Sequence, residues 1–116
     1  IRDKGGNPLW DGGSLRRTCG DRGGATRVFS RGEALFQGMR NWTSPRTLAT
    51  YPVEWMLRTP AGQYLVRALL DDQELDSRNS TGAIYWEGLC DVHDSQRRQV
   101  GRGYLELTGY YRPLVL

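Results

Sequence analysis

The sequence has little histidine, lysine or cysteine: one histidine, one lysine and two cysteines among its 116 residues. Metal sites need several histidine, cysteine or carboxylate ligands close together. His93 is alone, and the acidic residues are scattered along the chain, so we expect no metal and no cofactor. Cys19 and Cys90 allow one disulfide but not a disulfide framework. We favour the alternative that Cys90 is a small apolar filler within a strand.

Long apolar runs and clustered positive charge are also missing. No run of about 18 apolar residues is present, so we expect no membrane span. The net charge is +3, and the arginines are scattered among acidic residues rather than clustered. A nucleic-acid interface requires a concentrated basic patch, so we do not expect a nucleic-acid partner. There is no Gly-x-Ser-x-Gly motif or Ser-His-Asp constellation to support hydrolase chemistry.

What the sequence does contain is glycine near its start and period-two alternation afterwards. Residues 1–25 hold seven of the 15 glycines, which predicts a loop region with one short strand near 13–17. Alternating side chains then predict β-strands rather than helices. The predicted strands are 26–30, 34–40, 51–59, 63–70, 83–92 and 99–108. Residues 71–78 are the one weak helical candidate.

Turn sequences join these strands into an all-β, antiparallel fold in one domain, residues 1–116. Pro60-Ala61-Gly62 connects 51–59 to 63–70 as a hairpin, and the 93–98 loop connects 83–92 to 99–108. Strands with large aromatic residues on one face must close into a barrel or pack on another sheet. A ligand-holding barrel needs about eight strands, so the barrel predicted here is incomplete by one or two.

Two predicted strands carry a glutamate next to aromatic residues on the same face. Alternation puts Tyr85 with Glu87, and Tyr104 with Glu106. If the two strands pair, the carboxylates are neighbours, and a close pair shares a proton. Each glutamate is therefore either an acid in a pocket or a structural anchor that accepts hydrogen bonds.

The aromatic residues of the strands are candidates for ligand contacts. Trp55 and Trp86 lie on predicted strands, where an indole either fills the core or contacts an apolar ligand. We take Trp55, Tyr85, Trp86 and Tyr104 as candidate ligand-binding residues. Core packing remains the alternative for the two tryptophans.

Five stretches of the sequence, in this order and spacing, resemble one family. They are Trp42-Thr43-Ser44-Pro45, Tyr51-Pro52-Val53-Glu54-Trp55, Asp72-Gln73-Glu74-Leu75, Tyr85-Trp86-Glu87-Gly88 and Gly101-Arg102-Gly103-Tyr104-Leu105-Glu106-Leu107-Thr108-Gly109-Tyr110. The sequence thereby resembles the AttH-like, lipocalin-like proteins, which are often called predicted secreted hydrolases. That family includes the carotenoid 1,2-hydratases (hydroxyneurosporene synthases) and a fungal kievitone hydratase. Residues 1–41 fit more loosely.

The resemblance implies an antiparallel calycin-type barrel, of which family members usually have two. This sequence corresponds to the C-terminal part of the second barrel, without the first barrel and the opening strands of the second. Such a chain has exposed strand edges, which homo-oligomerisation would cover. The family description implies a periplasmic or secreted location, and the sequence itself gives no other indication.

The resemblance also implies hydration of an alkene, a reaction that needs no metal or nucleotide. A carboxylic acid protonates the double bond and water adds to the carbocation, so the pKa of the acid must be raised by dry surroundings. Glu87 and Glu106 are candidate acids. Asp72 is a third candidate because it stands at a strand end, near a barrel mouth. Otherwise Asp72 caps the short helix predicted there.

Three hypotheses therefore remain open. The first is a lipocalin-like module that binds an apolar or isoprenoid-like small molecule without catalysis of its own. The second is a cofactor-free hydratase or isomerase that uses one of the three acids. The third is a structural remnant of a two-barrel protein with no pocket. The sequence leaves open whether the chain is an enzyme.

Overall fold

The protein is built from one six-stranded antiparallel sheet and a separate two-stranded hairpin. The computed structural model describes residues 2, 5, 7, 10–16 and 25–112. The strands are β1 (Gly13–Arg16), β2 (Thr26–Phe29), β3 (Leu35–Thr43), β4 (Thr50–Thr59), β5 (Gly62–Ala68), β6 (Glu74–Ser77), β7 (Ala83–Asp94) and β8 (Gln99–Leu107). The described residues contain no helix.

The large sheet is ordered around the long strand β7. β3, β4 and β5 follow one another as antiparallel neighbours, and β5 then pairs with β7. β5 and β6 share one edge of β7 at different heights, because Ala68 pairs with Cys90 and Glu74 pairs with Trp86. β8 pairs along the other edge of β7. Within the described part of the chain the sheet does not close, and β3 and β8 are its terminal strands.

The predicted all-β, antiparallel fold with an incomplete lipocalin-like barrel is confirmed. Both predicted hairpins are present, as β4–β5 and β7–β8. Cys90 is a free, buried thiol, and burial raises its pKa. Cys19, the other half of the disulfide considered above, lies outside the described residues.

The predicted helix over residues 71–78 is wrong, because this segment contains strand β6. On the N-terminal side of Cys90, the edge of β7 still carries backbone N–H and C=O groups that need hydrogen-bond partners. β6 supplies them, pairing from Glu74↔Trp86 to Ser77↔Ala83. The alternative role of Asp72 as a helix cap is therefore also wrong.

The two faces of the sheet differ in burial. One face, called here the core face, carries the buried cluster of Ala49, Tyr51, Val53, Trp55, Ala68, Trp86, Cys90 and Leu107. Tyr110, which follows β8, packs on Tyr51 with ring centroids 5.9 Å apart. The opposite face, called here the open face, carries Glu54, Met56, Leu65, Arg67, Glu87, Asp91, His93, Arg102, Tyr104 and Glu106. Side-chain alternation fixes this division along each strand.

Candidate functional site

The predicted glutamate pair lies on the open face. Glu87 on β7 and Glu106 on β8 are directly opposite each other in the strand register. Directly opposed residues of an antiparallel pair have Cβ atoms about 5 Å apart, so the carboxylates are near neighbours. Thr108 Oγ1 donates a hydrogen bond to Glu106 Oε1 at 3.2 Å.

Tyr104 belongs to the same patch and is 65% exposed. Loss of hydration at its hydroxyl, and then the charge of Glu87 and hydrogen bonding to it, raise the pKa of this phenol. Tyr85 is half-buried two positions before Glu87. The raised pKa keeps the Tyr104 hydroxyl protonated beside Glu87.

The two predicted tryptophans lie on the other side of the sheet. Trp86 is 0% exposed, and its Nε1–H donates a 2.7 Å hydrogen bond to the carbonyl oxygen of Asp71. Trp55 packs edge-to-face on Phe36, with ring centroids 6.1 Å apart. Its buried Nε1 has no acceptor among the described residues. The four predicted ligand-binding residues therefore do not line a single site.

Asp72 lies apart from both groups, in the loop between β5 and β6. Arg46 donates two hydrogen bonds to its carboxylate, at 2.8 and 2.6 Å. These bonds hold the pKa of Asp72 below its ordinary value. The neighbouring Asp71 is held in the same way by Arg40, with two bonds of 2.8 Å. An acid that must stay protonated near neutral pH needs a raised pKa, and the surroundings of Asp72 act in the opposite direction.

Sequence reasoning missed the most buried carboxylate of this region, Glu74, whose side chain is 2% exposed. It accepts hydrogen bonds of 2.7 Å from the hydroxyls of Ser44, Thr47 and Tyr51. Burial alone would raise its pKa, but the three hydroxyls and then Arg46 outweigh burial and lower it. The hydroxyl-rich turn after β3 was visible in the sequence, but nothing linked it to a residue 27 to 30 positions later.

Charges of alternating sign cross the open face from one terminal strand to the other. The strand register aligns Arg40, Glu54, Arg67, Asp91 and Arg102 in one row. Arg40 Nε donates to Glu54 at 2.9 Å, and Arg102 Nε donates to Asp91 at 3.2 Å. Opposite charges at directly paired positions stabilise a sheet, so the Arg40–Glu54 and Arg102–Asp91 contacts support the pairing of β3 with β4 and of β7 with β8.

A cleft of about 470 Å³ lies beside this row. Its walls come from β3, β4, β5, the end of β7 and the β7–β8 turn. Met39, Met56 and Leu65 give it an apolar surface, and His93 and Arg67 add polar groups. The buried Nδ1 of His93 has no hydrogen-bond partner among the described residues. The volume of the cleft falls within the usual range for small-molecule sites, roughly 300–1,000 Å³.

The cleft and the glutamate pair are separate places on the open face. His93 lines the cleft, and Glu87 lies six residues earlier on the same strand. At about 3.3 Å per residue, that spacing corresponds to roughly 20 Å. The described part of the chain contains no cluster of three or more His, Cys, Asp or Glu residues that could hold a metal ion. It also has no helix with the length and apolarity to span a membrane.

Comparisons with known proteins agree on one relationship. The family model described as AttH-like matches residues 1–110. The crystal structure of an AttH candidate from Nitrosomonas europaea, at 2.00 Å resolution, superposes with a TM-score of 0.84 and is 42% identical in sequence. The match covers 95% of this chain and 33% of that protein, so the chain spans about a third of the length of its structural relative. No curated protein matches the sequence.

Proposed function

Because this chain belongs to the AttH-like family, we propose that it is a lipocalin-like binding domain for an apolar, isoprenoid-sized small molecule. The observation that carries the proposal is the cleft of about 470 Å³ with Met39, Met56 and Leu65 in its walls. Methionine side chains are flexible and polarisable, so they adapt to apolar ligands of irregular shape. The cleft is the binding site in this proposal, and Trp55 and Trp86 act as core residues.

Binding can be tested with citronellol, a ten-carbon isoprenoid alcohol, by titration of ¹⁵N-labelled protein in NMR spectra. We expect shifts to concentrate at Met39, Met56, Leu65 and His93. Leu65→Gln should weaken binding about tenfold, because it places an amide in the apolar wall. Leu89→Gln makes the same change at an exposed position of the open face outside the cleft, and should leave binding unchanged. Shifts that cluster elsewhere, or equal effects of the two variants, would exclude the cleft as the site.

A second candidate function, hydration of an alkene, is supported by the opposed carboxylates of Glu87 and Glu106. In this scheme one carboxylic acid transfers its proton to an alkene carbon, water adds to the tertiary carbocation, and the partner carboxylate takes the proton that water loses. The net reaction is alkene plus water to tertiary alcohol. Tyr104 and Tyr85 would flank the cation, whose charge aromatic faces stabilise. In this scheme Asp72 has no part, because its pKa is lowered.

Hydration is tested by incubation of the protein with citronellol in H₂¹⁸O and detection of the labelled tertiary alcohol by mass spectrometry. Glu87→Gln and Glu106→Gln should each abolish the product while the melting temperature stays within about 2 °C. Asp72→Asn should leave turnover intact. Absence of product from the unmodified protein would leave only the binding function. Unfolding of Glu87→Gln would instead identify that residue as an anchor.

Two further parts of the proposal concern the assembly. We assign residues 1–116 to one C-terminal barrel domain of a longer AttH-like protein, whose whole activity would involve more than this chain. We also propose that copies of the chain associate through the terminal strands of the open sheet. Both proposals are supported by the incomplete barrel and by the share of the structural relative that the chain spans.

A further inference from the structure

Two arginines line the cleft, and their side chains have no partner among the residues that the structure describes. Arg67 extends from β5, and Arg97 lies in the turn between β7 and β8. Among the described residues, neither side chain takes part in a hydrogen bond or an ion pair. Both are exposed, so a ligand in the cleft can reach their guanidinium groups.

The carboxylates of the cleft are, by contrast, already satisfied by other arginines. Glu54 Oε2 accepts a hydrogen bond from Arg40 at 2.9 Å, and Asp94 Oδ2 accepts one from Arg98 at 2.9 Å. Neither Arg40 nor Arg98 lines the cleft. The acidic groups of the cleft are therefore engaged by arginines outside it, and the guanidinium groups of Arg67 and Arg97 stay available to a ligand.

We propose that the cleft binds an anionic amphiphile, with a carboxylate head on Arg67 and Arg97 and an apolar chain along Met39, Met56 and Leu65. This inference rests on the proposed function of the cleft as a site for apolar molecules. A guanidinium binds a carboxylate through two parallel N–H donors, so it selects the head group by geometry as well as by charge. The apolar wall adds affinity in proportion to the buried area.

The experiment compares citronellic acid with citronellol, which share a carbon skeleton and differ in the head group. We expect the acid to bind about tenfold more tightly than the alcohol, because the arginines interact with the charged head alone. Arg67→Met and Arg97→Met should each weaken binding of the acid about fivefold and change binding of the alcohol by less than about twofold. Arg31→Met removes one exposed arginine from the turn before β3, outside the cleft, and should change neither affinity.

The outcomes separate the two levels of the proposal. Equal affinities for acid and alcohol would overturn the anionic ligand and leave the apolar site standing. A preference for the acid that survives both arginine substitutions would overturn the assignment of the head group to Arg67 and Arg97. If neither compound binds, the proposed function of the cleft fails together with this inference. Two-dimensional NMR spectra of each variant establish that it is folded before affinities are compared.

Discussion

The Glu74 carboxylate fastens the turn after β3 to strand β6. β4 and β6 make no backbone pairing with each other, and the side chains of Ser44, Thr47 and Tyr51 bridge them through this one acid. Its two oxygens accept all three hydroxyl hydrogen bonds. Burial, and then the hydrogen bond to Glu74, raise the pKa of Tyr51.

Substitution of Glu74 should therefore cost stability although the shape is kept. In Glu74→Gln an NH₂ group replaces one oxygen and cannot accept a hydroxyl hydrogen bond, so at least one buried hydroxyl loses its acceptor. We expect the free energy of unfolding to fall by about 2 kcal/mol in urea titrations at pH 7. Glu106→Gln, the same change at an exposed position, should stay within about 0.5 kcal/mol. Equal effects of the two variants would contradict the anchoring role.

The stability of the protein should also depend on pH through Glu74. Its folded pKa lies below the ordinary value of 4.5, so the charged form stabilises the fold above that value, and the contribution is lost as the pH falls through the folded pKa. We expect unfolding midpoints of the unmodified protein to drop faster between pH 5 and pH 3 than those of Glu74→Gln. Parallel profiles for the two proteins would show that Glu74 is not the group responsible.

At the scale of elements, the Gln73 side chain holds the junction between β5 and β6 by making hydrogen bonds that backbone groups of a strand would otherwise make. The Gln73 amide accepts a hydrogen bond from the Leu89 N–H at 3.2 Å and donates to the Leu70 carbonyl at 2.8 Å. The backbone carbonyl of Gln73 accepts from the Glu87 N–H at 3.2 Å. Gly88 makes this possible, since a Cβ there would overlap the Gln73 amide.

Gly88→Ala should therefore expel the Gln73 side chain and leave the Leu89 N–H without its acceptor. We expect a loss of about 2 kcal/mol in the free energy of unfolding. Gln73→Ala alone should cost about 1 kcal/mol, and in that background Gly88→Ala should cost at least about 1 kcal/mol less than it does alone. Chemical denaturation of the two single variants and the double variant measures this coupling. Additive costs would mean that the two residues do not interact.

The elements were predictable from the sequence where their signals are local. The β4–β5 hairpin follows from alternation and the Pro60-Ala61-Gly62 turn. β6 was missed because a strand of four residues shows too little alternation, and its pairing partner Trp86 is 12 positions away. A hydrogen-bonded carboxylate facing inward from such a strand looks, in sequence, like one more polar residue of a helix.

At the scale of the whole molecule, the open sheet leaves apolar side chains on a terminal strand. β3 is exposed along nearly its full length, and Leu35 is 47% exposed. Exposed terminal strands pair readily with another chain unless charge or covering segments prevent it. The proposed association of copies of the chain would therefore involve β3.

We expect native mass spectrometry of the purified protein to find dimers or larger assemblies at micromolar concentration. Leu35→Lys should shift the population to monomers, because charge on a terminal strand opposes pairing. Leu48→Lys places the same charge in the turn between β3 and β4, at a residue that is 77% exposed, and should leave the assembly unchanged. A monomeric unmodified protein, or identical behaviour of the two variants, would exclude association through β3.

The two candidate sites were predictable from the sequence to different degrees, because their residues lie at different separations along the chain. The pairing of Glu87 with Glu106 could be anticipated because one short loop joins their strands. The cleft could not, since Met39, Leu65 and Arg97 come from distant segments and meet only through the strand register, which shifts twice between β3 and β4. Alternation also separates Tyr85 from Trp86, so adjacent aromatic residues serve opposite faces.

Because the Gln73 side chain takes the place of a backbone hydrogen-bond partner, the Leu89 amide should differ from its neighbours in hydrogen–deuterium exchange. The amide proton of Leu89 is protected from exchange by its hydrogen bond to the Gln73 side chain. Its neighbours along β7 are protected by hydrogen bonds to paired strands. Exchange at Leu89 then requires one glutamine to rotate, and exchange at the paired amides requires strands to separate. The exchange rate of the Leu89 amide proton therefore reports rotation of the Gln73 side chain, whereas the rates of the paired amides report separation of the strands.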